Sequence, residues 1–349
     1  MIKQRYLWID ALKGWSIVLV VILHVSGWYE ERYSFGDTVW LDISLFLFPF
    51  RMPAFFLVSG ILASRSFGMS GCRPLRVSLS LYTTYLLWTF VVYAKDVFIL
   101  GVSSFSFYDI ADWLFIPGFY WYFMALSLYY LFGFLLVRFV FRFKPAIPFV
   151  LIATLVLSWY SSWIGELWGG LATGRGGALH PEDTLRSFFW FLIGIVFREH
   201  LLNLFRSVPK SGSFLVVLAV VGFLAGGSLQ YYGDVGRVIL SPLLMIFTSI
   251  ILFVRFEQSA FVRVFSMLGK LTLSVYLLHW FFLGLLRLGL MQMDISGLHW
   301  FIGFVFPLVA TPLAIAFSVV SSELMHKMKL GWMLEGMPRI ARLRWKDIS

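Results

Sequence analysis

The chain has 349 residues, of which 60 % are hydrophobic and 13 % charged, with a mean hydropathy of +0.85 and a net charge of +10. A soluble domain carries roughly 25 % charged residues, so a soluble globule, a disordered chain, a collagen and a coiled coil are all excluded. What remains is a polytopic helical membrane protein, and the single cysteine, Cys72, excludes a disulfide framework or a multi-cysteine metal site.

The expected fold is all-α, a transmembrane helical bundle of about ten spans. They centre on residues 7–28, 39–64, 77–94, 119–138, 146–164, 186–198, 213–231, 237–254, 268–288 and 299–322. Each can cross roughly 30 Å of hydrocarbon at about 1.5 Å per residue. The basic residues fall on alternate connections. They are Lys3, Arg5 and Lys13, then Arg65, Arg73 and Arg76, then Arg138, Arg142 and Lys144. Arg198, Arg206 and Lys210 follow, then Arg255, Arg263 and Lys270, and a tail with Lys327, Lys329, Arg339, Arg342, Arg344 and Lys346. The opposite connections are acidic, with Glu30, Glu31, Asp37, Asp96, Asp109, Asp112, Glu166, Glu182 and Asp183. The positive-inside rule then places both termini in the cytoplasm and accounts for the basic excess without nucleic acid. A single transmembrane domain over 1–330 and a basic cytoplasmic tail over 331–349 are expected. The first span reads as a retained helix, since no small-residue cleavage site follows it.

The first helix carries three ionisable residues, Asp10, Lys13 and His24. The eleven steps from Lys13 to His24 make three turns plus about 20°, and those from Asp10 end about 40° short of four turns. The three share one stripe, with His24 about 16 Å deeper than Lys13. Ionisable groups in hydrocarbon are costly and mark functional positions. An ion pair between Asp10 and Lys13 that anchors the helix end is the plain structural alternative.

The second span contains Pro49 and Pro53 with Arg51 between them. Two prolines interrupt the backbone ladder, and broken helices at membrane depth line protein or a polar cavity. The permanent charge of Arg51 needs a partner, either an internal carboxylate such as Asp42 or an anion in that cavity. Arg73 and Arg76 open the third span on the cytoplasmic side, as an orientation anchor or a docking point for phosphates.

The sixth span is short, since its uncharged run from Ser187 to Phe197 must recruit Arg186 and the residues before it. The glycine-rich stretch Gly169–Gly177 lies within the expected outer loop 165–184. His279 is a second polar group within an apolar helix, whereas His180, His200, His299 and His326 read as loop or interface residues. No zinc pair, nucleophile elbow, P-loop or dinucleotide fingerprint is present, so no metal and no tightly bound cofactor is expected.

Five segments in order resemble a known family. They are Asp10-Ala-Leu-Lys-Gly14 with Val-Val-Ile-Leu-His24; Met52-Pro-Ala-Phe-Phe-Leu-Val-Ser-Gly60; Arg73-Pro-Leu-Arg76; Trp121-Tyr-Phe-Met-Ala-Leu126; and Leu268-Gly-Lys-Leu-Thr-Leu-Ser-Val-Tyr-Leu-Leu-His279. Together they are similar to acyltransferase family 3, the integral-membrane acyltransferases, over nearly the whole chain. Lys13 stands where many members carry Arg, and Arg51 where related members often carry His.

The resemblance implies acyl transfer, with acetyl-CoA or another acyl-CoA as co-substrate, to a hydroxyl of an envelope polysaccharide or lipid-linked glycan. It implies a bacterial inner-membrane O-acetyltransferase with O-antigen-type acceptors. His24 is then the general base, with Lys13 and Asp10 beside it, and Arg73 and Arg76 hold the donor. Arg51, Ser59, Trp121, Tyr276 and His279 line an oxyanion or substrate cavity. The expected partners are acyl-CoA, the glycan acceptor and membrane lipids, with the oligomeric state open. A transporter or flippase for a glycan or anionic small molecule is the alternative use of the same polar residues.

Overall fold

A computed structural model describes residues 6–33, 39–67, 71–98, 120–171, 181–209, 212–233, 235–290 and 299–335. Among them the chain is all-helical, with no strand. Five helices are long and apolar enough to cross a membrane, and up to nine crossings result if each of four bent pairs counts as one. All ten expected apolar runs are helical. The one outside the nine is Ser213–Leu229, whose 17 residues reach about 25 Å, short of the hydrocarbon thickness.

In chain order the helices are α1 (Leu7–Tyr33), α2 (Val39–Phe46), α3 (Phe48–Phe67), α4 (Arg73–Phe98) and α5 (Trp121–Leu135), which runs into a π-helical turn at Leu136–Val140. Then come α6 (Ala146–Trp159), α7 (Ser161–Leu171), α8 (Pro181–Val196), α9 (Arg198–Arg206) and α10 (Ser213–Leu229). A second π-helical turn, Gly236–Leu240, leads into α11 (Ser241–Arg255), followed by α12 (Ala260–Lys270), α13 (Thr272–Leu290), α14 (His299–Lys327) and α15 (Trp332–Glu335).

The chain forms two compact units. The first comprises residues 1–58 and 199–327. Its centre is α1, which packs on α2, α11, α12, α13 and α14. The tightest crossing is between α1 and α12. A Cβ added at Gly14 would lie 1.9 Å from the Phe265 carbonyl oxygen, and one added at Gly269 would lie 1.8 Å from that of Asp10. Only glycine lets two backbones approach so closely, and small residues at crossings are how helices pack where lipid removes any hydrophobic drive. Trp15 packs edge-on against Phe265 at 5.1 Å beside this crossing, and Trp8 meets Phe205 of α9 at 5.4 Å. Helix α10 is apolar on all sides. It buries its small residues Ala219, Gly226 and Gly227 and exposes Phe214, Val217, Leu218, Val221 and Leu224. An outward apolar belt of this kind suits lipid, in which an exposed aliphatic side chain costs nothing.

The second unit comprises residues 59–198 and 328–349. Helix α4 packs on α5, and α6, α7 and α8 pack together. Gly60 opens this unit against α8, where a Cβ would lie 2.1 Å from the Phe191 carbonyl oxygen. Ser78 and Ser127 each donate from the hydroxyl to the other's carbonyl at 2.8 Å, a reciprocal clasp between α4 and α5. The weak sixth span starts ahead of its uncharged run, as the sequence requires, but the 16 residues of α8 reach membrane-crossing length only when counted together with α9. Helix α8 begins at Pro181, and Arg186 is buried with its guanidinium donating to Asp183 at 3.3 Å and to Ser162 at 3.2 Å. The indole of Trp88 donates to the Met333 carbonyl at 2.7 Å, which fastens α15, in the expected tail, to α4. The remainder of that tail, residues 336–349, lies outside the described residues, as do 172–180 of the glycine-rich loop.

The second span breaks differently from expectation. One bend of 45° separates α2 from α3 at Leu47, ahead of both prolines. Pro49 then sits in the first turn of α3, where a missing N–H costs nothing. Pro53 stays inside the helix, leaving the Pro49 carbonyl without its usual amide donor.

Candidate active site

The first unit brings together the residues singled out on α1, α3 and α13. Helix α1 presents His24, half-buried, to α13, which carries His279 and Trp280. The His24 ring centroid lies 5.2 Å from that of His279 at 64°, and 4.5 Å from that of Trp280 at 74°. His279 is fully buried, and its Nδ1 lies 2.9 Å from the Val275 carbonyl oxygen one turn earlier. A carbonyl only accepts, so Nδ1 carries the proton and Nε2 of the neutral ring is left as an acceptor. That Nε2 is buried with no hydrogen-bond partner among the described residues. A buried acceptor left open in this way can take a proton or a donor from a neighbour or a substrate. Tyr276, buried on the same helix, stands 6.1 Å from the His279 ring. Ser322 of α14 donates to Ser274 Oγ at 2.9 Å, and this bond holds α13 at the turn before these residues.

Arg51 enters from the first turns of α3 and is buried, at 3 % exposure. Its Nη1 donates to Ser44 of α2 at 3.3 Å, across the bend at Leu47, and its guanidinium stands 5.9 Å from the Phe48 ring centroid. The carboxylate suggested as its partner, Asp42, is on an exposed position of α2. Arg51 and His279 are both close enough to act electrostatically on His24, so one cationic and two imidazole groups share one neighbourhood. Lys13 and buried Asp10 lie on α1 at the glycine crossing with α12, about three and four turns from His24 respectively.

The other expected site residues belong to the second unit. Ser59, half-buried on α3, shares a 3.0 Å hydrogen bond with the Tyr122 hydroxyl of α5. Trp121 opens α5 and is half-buried beside it. Arg73 is exposed and Arg76 half-buried in the first turn of α4. Arg73 acts electrostatically on Tyr130, which itself stacks on Phe67 at 5.8 Å. No group of three or more metal-ligating side chains is found among the described residues.

Five contributors have no role assigned from the sequence. Trp280 is the nearest ring to His24, and its signal was its place directly after His279. Ser44 is the donor's target for Arg51, and Tyr122 is the partner of Ser59; neither has a signal in a single sequence. Gly14 and Gly269 stand inside two of the recognisable segments, but only their packing shows why glycine is there.

Residues 6–323 match the model of a family described as an acyltransferase domain. A stretch of 71 residues is 42 % identical to inner membrane protein YcfT of Escherichia coli (strain K12), covering 18 % of this chain and 20 % of that protein. The match thus spans about a fifth of that relative's length. No solved structure matches the chain. With helices of membrane-crossing length from α1 to α14 and a family match that runs through them, the chain belongs to acyltransferase family 3, the membrane acyltransferases.

Proposed function

We propose that the chain is an O-acetyltransferase of the bacterial inner membrane that moves an acetyl group from acetyl-CoA to a hydroxyl of an envelope polysaccharide or lipid-linked glycan. The observation that carries this reading is the meeting of His24 with His279 and Trp280, beside Arg51, in a chain of this family. His24 removes the proton of the acceptor hydroxyl as its oxygen attacks the thioester carbonyl. The C–S bond then breaks, and coenzyme A leaves as a thiolate that takes up the proton. General acid-base catalysis of this kind contributes roughly 10²–10⁴-fold. His279, with its proton held on Nδ1, offers Nε2 to orient the His24 ring or to accept from the substrate. Arg51 serves as an oxyanion or substrate contact and Tyr276 lines the same cavity, while Ser59 and Trp121 are substrate contacts within the second unit. Lys13 and Asp10 set the charge at the base of the α1 stripe. Arg73 and Arg76 bind the phosphates of the donor, a task for which paired guanidiniums are well shaped.

The test is envelope-glycan O-acetylation in cells expressing His24→Ala at the wild-type protein level. Acetylation is expected to fall by two orders of magnitude or more, and unchanged acetylation would remove His24 from the chemistry. Consumption of acetyl-CoA by the purified wild-type chain separates the enzyme from a transporter or flippase, which would leave the thioester intact.

A further inference from the structure

The bend between α2 and α3 is fastened to the end of α10 and the π-helical turn that follows it. Phe46 lies against Gly227, where an added Cβ would stand 2.1 Å from the ring. Phe50 packs edge-on against Phe223 at 5.8 Å. Between them in sequence, Phe48 receives a second cation, since the guanidinium of Arg237 stands 5.2 Å from the same ring centroid that Arg51 approaches at 5.9 Å. Two like charges thus gather on one aromatic ring, one from a buried side chain and one from an exposed one.

The position of Arg237 is tightly held. Gly233 takes a positive φ of 88°, and the Arg237 amide donates to its carbonyl at 3.0 Å. A Cβ on Gly236 would lie 2.1 Å from the Leu229 carbonyl oxygen, so the turn is folded back on the end of α10. Arg237 itself lies in the π-helical segment, a rare geometry that is frequent at functional sites. An arginine near a helix end in a membrane protein ordinarily extends towards water or headgroups. This one is instead turned onto the ring it shares with Arg51.

We propose that Arg51 and Arg237, gathered at Phe48, bind an anionic group, phosphate or carboxylate, carried by the acceptor. This rests on the acyltransferase reading and narrows its acceptor to a charged glycan. Guanidinium is the group suited to both anions, because its fork of N–H donors meets two oxygens at once. The site also has the right neighbour. Arg51 is within electrostatic reach of His24, so an acceptor anchored at Arg51 and Arg237 brings its hydroxyls into the neighbourhood of the proposed base. Arg237, exposed, meets the anion first, and Arg51 receives it in the buried part of the site.

The experiment uses the purified full chain in detergent, with binding of glucose 1-phosphate, glucuronate and glucose measured by saturation-transfer NMR. The wild type is expected to bind at least one charged sugar about tenfold or more tighter than glucose, the lower end of what a charged hydrogen bond contributes. The tighter of the two charged sugars identifies phosphate or carboxylate as the group recognised. Arg237→Gln is expected to lose most of that preference and Arg237→Lys to keep part of it. Equal binding of all three sugars, or an undiminished preference in Arg237→Gln, would overturn the proposal. Acetyl-CoA consumption by the wild-type chain is scored separately, so failure of the acyltransferase reading is distinguishable from failure of the anion site.

Discussion

His279 shows how much one hydrogen bond decides. Its bond to the Val275 carbonyl fixes which nitrogen carries the proton, and burial then leaves the other nitrogen as an acceptor with no donor among the described residues. His279→Ala removes that acceptor and is expected to slow acyl transfer by about 10²-fold, with donor affinity unchanged. Steady-state kinetics at varied acetyl-CoA would show it as a fall in kcat without a rise in donor KM. The converse is expected at the first turn of α4. Arg73→Ala should raise donor KM by about tenfold, the loss of one charged hydrogen bond. A fall in kcat alone would move Arg73 from donor binding to an orientation role. His24 and His279 were each legible in the sequence as polar groups in apolar helices. Their pairing was not, because no periodicity links helices so far apart in the chain.

At the scale of the element, the α1–α12 crossing holds the helix that carries the proposed base. The stripe of Asp10, Lys13 and His24 on α1 follows from helical geometry alone. Its placement depends on two glycines that let the backbones of α1 and α12 touch. Gly14→Ala or Gly269→Ala inserts a methyl where less than 2 Å is available to a carbonyl oxygen. Each is expected to cost about 1–3 kcal/mol or more through forced backbone displacement. Thermal unfolding in detergent should register this as a lowered midpoint, and Gly27→Ala, where nothing lies within 4 Å, serves as the control with no such change. The second span teaches a different lesson. Two prolines in sequence pointed to an interrupted helix, and an interruption exists, but it lies at Leu47. A proline in a first helical turn is tolerated, so Pro49 starts α3 rather than breaking it, and Arg51 bridges the bend to Ser44.

At the scale of the whole molecule, charge sets the orientation. The basic connections, among them Arg138, Arg142 and Lys144, are proposed to face the cytoplasm, and the stretch after α10 to face outward. In a Cys72→Ser background, a membrane-impermeant maleimide on intact cells is expected to label Tyr232→Cys. It should label Lys144→Cys only after the membrane is opened; both positions are exposed. The reverse pattern would invert the molecule and put Arg73 and Arg76 on the side away from cytoplasmic acyl-CoA.

The membrane character, the helical class, the positions of the apolar runs and the ionisable residues within them were determined by the sequence itself. These are local or compositional properties: apolar length sets what can cross hydrocarbon, and the cost of burying charge makes each retained ion conspicuous. Which of those ions meet was decided only by the tertiary structure. The company of His24 with His279 and Trp280, the bond from Arg51 to Ser44 and the gathering of two arginines at Phe48 depend on helix crossings. Those crossings are set by small residues and side-chain shape, and a crossing partner distant in the chain leaves no mark on the hydrophobic pattern of either helix.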